Sequence, residues 1–175
     1  MKNLMTKTVA LAEEKVLIAL SKNTLENIFN TYCKAKNING VKLVLVGEAS
    51  WNKYLRAETV NGSYNSKTKT VVVKVREDKT ATIETLMHEL THAYQDVYHK
   101  DMLNYGRTQK AMYSGEYGYD AYYYSVHEQH ARLCGKDLRM IAKKNIKSET
   151  ALYRAFRKYN MEDAFYRINT TAYAV

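Results

Sequence analysis

The chain has 175 residues, of which 46% are apolar, and it carries a formal net charge of +9. This length and apolar content fit a single domain over residues 1–175 with a buried core, and they exclude a disordered or collagen-like chain. Because there is no proline and there are only seven glycines, we expect long helices and turns built on Asn, Asp and Gly.

The first half of the chain is predicted to contain a helical segment followed by strands. Apolar spacing favours helix over residues 4–36, ended by the turn-forming residues 37–40. Three β-rich segments follow, at 41–46, 53–64 and 70–75. The second of them is the weakest and ends at an Asn-Gly turn signal. We therefore expect N-terminal helices and then a short three-stranded sheet.

The second half is predicted to be mainly helical. Apolar periodicity predicts a helix over residues 82–98. A tyrosine-rich segment with three glycines, at 104–119, is expected to be a loop. Further helices are expected at 120–134, 137–145 and 148–160. The order of helices, strands and helices predicts an α+β fold.

Residues 88–92, in the predicted helix 82–98, read His-Glu-Leu-Thr-His. Positions i and i+4 of a helix share a face, so the imidazoles of His88 and His92 can reach one Zn²⁺. Glu89 follows the first ligand and lies at the flank of the metal, where its carboxylate can take a proton from water. The histidines are predicted to face away from the apolar stripe of the helix. That stripe consists of Ile83, Leu86, Met87, Leu90, Tyr94 and Val97.

A catalytic zinc site needs a third protein ligand. His99 lies about two turns beyond the motif along the helix, too far to share its metal. The segment 126–132 supplies the remaining candidates, among which Glu128 and His130 lie on different sides of one helix. Small residues flank Glu128 and allow a close approach to the zinc helix. We favour Glu128 as the ligand over His127 and His130, which remain alternatives as ligands or as groups that support a ligand.

The string HELTHAYQ, preceded by a strand and by Gly62-x-Tyr64, resembles the minimal gluzincins. These are small single-domain zinc metallopeptidases of the SprT-like and ImmA/IrrE-like kind, many of them encoded by phages and mobile elements. The later segment 128–132, Glu-x-x-Ala-Arg, is similar to their downstream Glu-bearing helix. The resemblance covers about residues 40–135.

This resemblance implies a zincin-like domain in which His88, His92 and Glu128 bind zinc and Glu89 is the catalytic base. It also implies that the edge strand of the sheet binds an extended peptide beside the site. The chain shows neither the C-terminal zinc ribbon of many SprT-like proteins nor the helix-turn-helix or sensor domain of many ImmA/IrrE-like ones. The resemblance therefore does not name a substrate.

Tyrosines are concentrated just before the predicted third ligand, with seven of the sixteen between Tyr105 and Tyr124. A peptidase benefits from a hydrogen-bond donor aimed at the tetrahedral oxyanion, and a Tyr or His can supply it. These rings can equally pack the domain and line a groove. The candidates for the oxyanion donor are Tyr119, Tyr122, Tyr123, Tyr124 and His127.

The cysteine content favours a reducing compartment. Cys33 and Cys134 form neither a disulfide framework nor a four-cysteine zinc site, and we predict two free thiols in a cytoplasmic protein. The apolar run 9–12 is broken at Glu13 before it reaches the length of a signal-peptide core. No stretch approaches the ~20 apolar residues of a membrane span, so we expect no membrane contact.

We expect a monomeric, zinc-dependent endopeptidase that acts on a cytoplasmic protein or peptide substrate. From Arg132 onward, ten lysines and arginines oppose four acids, a net charge of +6. Such a region can attract nucleic acid or an acidic protein, and it can equally be a solvated helix face. We predict at most weak nucleic-acid contact. The alternative is a DNA-associated protease or a nucleic-acid-binding module that uses this basic C-terminal region.

Overall fold

The computed structural model describes residues 22–55, 60–112 and 120–172, and within these ranges the predicted α+β class is confirmed. Eight helices surround a small three-stranded mixed sheet in this part of the chain. The elements in chain order are α1 (22–35), β1 (Lys42–Gly47), α2 (Glu48–Leu55), β2 (Gly62–Asn65), β3 (Thr70–Val75), α3 (Lys79–Tyr98), α4 (Lys100–Met112), α5 (120–123), α6 (Val126–Asn145), α7 (Glu149–Lys158) and α8 (Asp163–Ala172). Every helix in the described ranges is too short or too polar to cross a bilayer.

The end of the first predicted helix and the first predicted strand are confirmed. Helix α1 is followed by two residues in the left-handed region, Asn37 at φ 52° and Gly40 at φ 75°. Such conformations favour Asn and Gly and stop a helix. The part of the predicted helix before residue 22 lies outside the described residues.

Strand β3 is the centre of the sheet, with β1 parallel to it on one side and β2 antiparallel on the other. Its valines alternate between the two faces. Val71, Val73 and Val75 pack in the main core, whereas Val72 packs with Trp51 of α2 on the opposite face. A strand buried on both faces has no polar alternation, which explains its nearly continuous apolar sequence.

The predicted strand 53–64 is wrong over most of its described part. The chain forms helix α2 after β1, and the strand begins at Gly62 instead of ending there. Trp51 is 0% exposed in that helix, and burying a large aromatic ring outweighs weak strand propensity. The turn comes after Asn65, whose Oδ1 accepts hydrogen bonds from the backbone N–H groups of Lys67 and Thr68.

Helix α3 confirms the predicted helix 82–98 but begins earlier, at Lys79. Asp78 caps it, because its Oδ1 accepts hydrogen bonds from the N–H groups of Thr80 and Ala81 at 2.8 and 3.1 Å. The predicted apolar stripe is wrong at Val97, which is 46% exposed. His88 and His92 lie outside the apolar core cluster, as predicted, but α3 packs against α6, so that His92 is buried and His88 is only partly exposed.

The C-terminal half has longer helices than predicted. The expected loop 104–119 is helical in α4 up to residue 112, and residues 113–119 lie outside the described part. The expected helix 120–134 is interrupted at residues 124–125, after which α6 continues unbroken through 137–145. The expected helix 148–160 is present as α7, whereas α8 was not predicted.

Helix α6 continues through Gly135, where a break was predicted. A Cβ atom on this residue would lie 3.3 Å from the backbone N and Cα of His88. The glycine therefore marks the place where α6 approaches the backbone of α3, and it does not mark a helix end. This approach brings the first turn of α6 to the histidines of α3.

We predict that Asp78→Ala lowers the free energy of unfolding by about 1 kcal/mol, because two backbone N–H groups lose their acceptor. For a chain of this size the melting temperature should fall by roughly 2–4 °C per kcal/mol. Asp78→Asn is the matched control and should change it little, since Asn is an equally good cap. Thermal denaturation followed by circular dichroism tests this, and equal melting temperatures for the two variants would contradict the role of the cap.

Candidate metal centre

The structure brings His88 and His92 of α3 together with Glu128 of α6. The two Nε2 atoms are 3.1 Å apart. Oε2 of Glu128 is 3.4 Å from Nε2 of His88, and Oε1 is 3.2 Å from Nε2 of His92. Three potential ligand atoms thus converge in a buried corner, on residues that were predicted as the ligand set.

This triangle has the dimensions that a metal ion requires. A tetrahedral ion with bonds of ~2.0–2.1 Å holds its ligand atoms about 3.3 Å apart. The buried Oε1 of Glu128 accepts no hydrogen bond from any described residue, although burying an unsatisfied carboxylate oxygen is costly. A cation bound between the three side chains removes that cost. The group formed by His88, His92 and Glu128 can hold a metal ion.

The electrostatics keep the carboxylate ionised. Burial raises the pKa of Glu128, but its close contacts with the imidazoles of His88 and His92 lower the pKa by more, so that it falls well below its usual range. Burial lowers the pKa of His92, and the neighbouring Glu128 raises it by more. Glu128 also lies in the first turn of α6, where the positive end of the helix dipole favours a negative charge.

Glu89 lies beside this group without being part of it. Its carboxylate is buried and accepts a hydrogen bond from the backbone N–H of Tyr64 in β2. Burial raises the pKa of Glu89, the two histidines lower it, and the charge of Glu128 raises it again, with a net upward shift. A carboxylate held at the flank of a metal with raised basicity can accept a proton.

Gln95, which sequence reasoning missed, connects the metal centre to the C-terminal helices. It is 0% exposed, and its Oε1 lies 2.8 Å from Nδ1 of His92. Its Nε2 donates to the backbone oxygen of His127 at 2.8 Å and lies 2.9 Å from Nδ1 of His130. Nε2 of His130 in turn lies 2.9 Å from the backbone oxygen of Met161.

These contacts select one tautomer for each histidine. An amide oxygen only accepts, so Nδ1 of His92 carries the proton and its Nε2 is left with a lone pair toward the metal. The amide nitrogen of Gln95 only donates, so Nδ1 of His130 is the acceptor and its Nε2 donates to Met161. A signal was present in the sequence, because a polar side chain three residues after His92 lies one turn further on the same helix.

His130 supports the centre through Gln95 and is not one of the clustered ligands. Its ring stacks on Phe165 of α8 with 4.0 Å between ring centroids, and its Nε2 is used by Met161. Burial lowers the pKa of His130 to about 4. The histidine is therefore neutral at pH 7, as its role as a hydrogen-bond acceptor for Gln95 requires.

His127 lies closer to the ligands. Its Nε2 is 3.8 Å from Oε1 of Glu128, and its Nδ1 is 2.8 Å from Oγ of Ser125. Since that hydroxyl donates to the backbone oxygen of Tyr122, it accepts from Nδ1 of His127. Nε2 of His127 then has a lone pair and no proton to donate. Burial is the main reason that the pKa of His127 is lowered to about 4. This tautomer suits an acceptor better than the predicted oxyanion donor.

The predicted tyrosine candidates differ in position. Tyr122 and Tyr123 line the cleft at the metal centre, and a hydrogen bond joins Tyr122 to Glu128. Tyr124 is 67% exposed and is absent from the described residues that line this cleft. Tyr119 lies outside the described residues. Of the predicted donors in the described residues, Tyr122 and Tyr123 therefore lie at the cleft, and the hydroxyl of Tyr122 is engaged by Glu128.

The metal centre opens into a cleft of about 1150 Å³. Strand β2 forms one wall of it, with Gly62 and Tyr64 among the lining residues. In the described part of the sheet, β2 pairs with β3 on one side only. An extended chain can therefore lie along the open side of β2, next to Glu89.

The two cysteines do not take part in the centre. Cys33 and Cys134 are free thiols in the described part of the chain. Burial raises the pKa of both thiols to about 12, so neither is a thiolate at neutral pH. Cys134 of α6 packs in the main core, with its Sγ 3.5 Å from Nε2 of His130.

We predict that Gln95→Leu lowers the affinity for the metal by roughly 10–100-fold, the effect usual for a residue that orients a histidine ligand. The change removes the acceptor that fixes the tautomer of His92. Gln129→Leu is the matched control. Gln129 of α6 is half-buried, and its side chain forms one hydrogen bond among the described residues, to the backbone oxygen of Tyr124. Competition with a chelator measures the affinity, and melting temperatures of the metal-free proteins report any separate loss of packing. Equal affinities would contradict the role given to Gln95.

Comparison of the chain with protein-family models, with curated proteins and with solved structures finds no match. The resemblance of the motif to minimal gluzincins therefore stays a prediction. The interpretation of this site depends on its own residues: two histidines and a glutamate converging on one point, with a second glutamate beside them.

Proposed function

We propose that the protein is a zinc-dependent endopeptidase of the gluzincin type. The observation that carries the proposal is the buried convergence of His88, His92 and Glu128, with Glu89 at its flank and an open strand edge beside it. A site that only stabilises the fold has no use for the basic carboxylate or for the open cleft.

The donor set suits zinc. Two imidazole nitrogens and one carboxylate oxygen form one of the usual ligand sets of catalytic zinc, which leaves a further position for water or substrate. When bound, zinc supplies Lewis acidity, which polarises a peptide carbonyl and lowers the pKa of water. The same donors also suit ferrous iron, so metal identity is part of the test below.

The protein groups carry the proton transfers. Glu89 accepts a proton from the attacking water at its carboxylate and later delivers it to the nitrogen of the departing amine. The N–H of Tyr64 fixes the position of this carboxylate, and burial, which raises its pKa, favours proton uptake. Tyr122, which lines the same cleft, is the donor we assign to the oxyanion, a role that requires its hydroxyl to turn from Glu128 to the substrate.

The sheet edge gives the substrate its orientation. A peptide that adds to the free side of β2 is held by main-chain hydrogen bonds, which do not depend on its side chains. Because Glu89 accepts a hydrogen bond from the backbone of this strand, β2 would position both the catalytic carboxylate and the bound peptide. This arrangement supports an endopeptidase more than an enzyme for small molecules.

The nucleic-acid alternative receives less support from the structure. Of the ten cationic residues from Arg132 onward, three lie in ion pairs with carboxylates of the chain. These pairs are Arg132 with Glu128, Arg139 with Glu84 and Arg167 with Asp137. Part of the basic region therefore serves internal contacts, and weak nucleic-acid binding stays a prediction.

We predict one zinc ion per chain and its loss in Glu128→Ala. His130→Ala should retain zinc with reduced affinity, because His130 acts on the centre only through Gln95. Elemental analysis of the purified variants also distinguishes zinc from iron. If His130→Ala loses the metal while Glu128→Ala keeps it, the third ligand is assigned wrongly.

We predict that Glu89→Gln keeps the fold and the zinc but lowers the rate of hydrolysis by roughly 10²–10⁴-fold or more, since that is the usual contribution of a general base. The amide matches the carboxylate in size and lacks its basic oxygen. The measurement combines zinc content, melting temperature and cleavage of a casein-like substrate. Cleavage at the wild-type rate would contradict the mechanism, and loss of zinc would make Glu89 a ligand.

A further inference from the structure

Three arginines from three different elements line the cleft around the metal centre. Arg76 directly follows β3, Arg107 belongs to α4 and Arg132 belongs to α6. Two of the carboxylates that line the same cleft, Glu89 and Glu128, belong to the proposed catalytic centre. These two are occupied by proton transfer and metal binding, and so they do not neutralise the cleft for a substrate.

A third carboxylate in the cleft, Glu84, is already neutralised from outside. Its Oε2 lies 2.5 Å from Nη1 of Arg139, which is not one of the described lining residues. No carboxylate of the described residues lies within ion-pair distance of Arg76 or Arg107. Beyond the metal centre, the described walls of the cleft therefore carry unmatched positive charge.

The two unmatched arginines lie at opposite ends of the β2 wall. Arg107 donates from Nη1 to Oγ of Ser66, the residue directly after β2, at 2.6 Å. Arg76 lies at the other end. It follows β3 directly, and the N–H of Lys74 near the end of β3 donates to the backbone oxygen of Asn61, the residue before β2, at 2.9 Å. An extended wall from Asn61 to Ser66 is about 17 Å long at ~3.3 Å per residue, which fits a peptide of five or six residues.

Arg76 also has an unused donor. Its Nε is buried and finds no hydrogen-bond partner among the described residues, although buried polar groups are normally paired. Arg132 holds a third positive charge nearer the centre, 3.8 Å from Oε2 of Glu128 and stacked over the ring of Tyr123.

We propose that the cleft selects acidic polypeptide segments, with substrate carboxylates bound by Arg76 at one end of β2 and by Arg107 at the other. Arginine suits this role because its planar guanidinium binds a carboxylate with two parallel hydrogen bonds. The net charge of +9 attracts an acidic partner over longer range. This inference rests on the proposed peptidase function, and a peptide is favoured over nucleic acid because its backbone can pair with the open edge of β2.

The test uses two quenched fluorogenic peptides that differ only in Glu or Gln on both sides of the cleaved bond. The zinc-loaded wild type should cleave the Glu peptide with a kcat/KM at least about tenfold higher. Arg76→Gln and Arg107→Gln should each lower kcat/KM for the Glu peptide by roughly three- to tenfold more than for the Gln peptide. The preference should shrink as ionic strength rises.

Arg154→Gln is the matched control, since Arg154 is exposed on α7 and is not one of the described residues that line the cleft. It should change neither peptide. Equal cleavage of both peptides by the wild type would overturn the selectivity and leave the peptidase function standing. Absence of any cleavage by zinc-loaded protein would count against the peptidase function instead.

In that case, fluorescence anisotropy with the Glu89→Gln protein measures selectivity without hydrolysis. Tighter binding of the Glu peptide, lost in the additional Arg107→Gln variant, supports the acidic cleft, and equal binding overturns it. A single-stranded oligonucleotide of equal charge is the competitor. If it binds more tightly than the Glu peptide and depends on Arg107, the cleft is a nucleic-acid site and the proposal is wrong.

Discussion

The contact of α6 with α3 is the constraint on which the metal centre depends. At Gly135 the two helices approach so closely that a Cβ atom would lie 3.3 Å from the backbone of His88. Glu128 precedes Gly135 by about two helical turns and so lies on the same face of α6. The close approach at the glycine thus directs the carboxylate of Glu128 to the imidazoles of His88 and His92. A side chain at position 135 would require the two helices to move apart by a few tenths of an ångström at this point.

Burial makes this centre expensive in free energy, and hydrogen bonds offset much of the cost. A carboxylate and two imidazoles removed from water are tolerated only with partners or a cation. Gln95 uses its oxygen and both amide hydrogens, so that His92, His130 and the backbone of His127 are all satisfied. The oxygen Oε1 of Glu128 is the buried carboxylate atom in the described residues that stays without a hydrogen bond. The polar groups around the centre are therefore hydrogen-bonded, whereas one carboxylate oxygen of the centre itself stays available to a metal ion.

Local pattern was enough to predict the elements that carry the ligands. The i, i+4 spacing of His88 and His92 needs only helical geometry, and the small residues around Glu128 favoured it over His130. The errors came from residues whose role depends on a distant partner. Glycine was read as a loop signal in the segment 104–119, yet Gly106 lies inside α4, where a Cβ atom would meet the ring of His127 at 1.9 Å. Gln95 was missed for the same reason, because two of its three partners, His127 and His130, lie on another helix.

The network around Gln95 reaches the C-terminal end of the described chain through the carbonyl of Met161 and the ring stacking of His130 on Phe165. The binding of an ion at the centre and the docking of α8 would therefore be thermodynamically linked. Such coupling is reciprocal. If docking of α8 strengthens metal binding, then metal binding strengthens the docking of α8 by the same free energy. Helix α8, which contributes none of the described candidate ligands, would then dock more firmly when an ion is bound at the centre, and loss of its docking would weaken the binding of that ion.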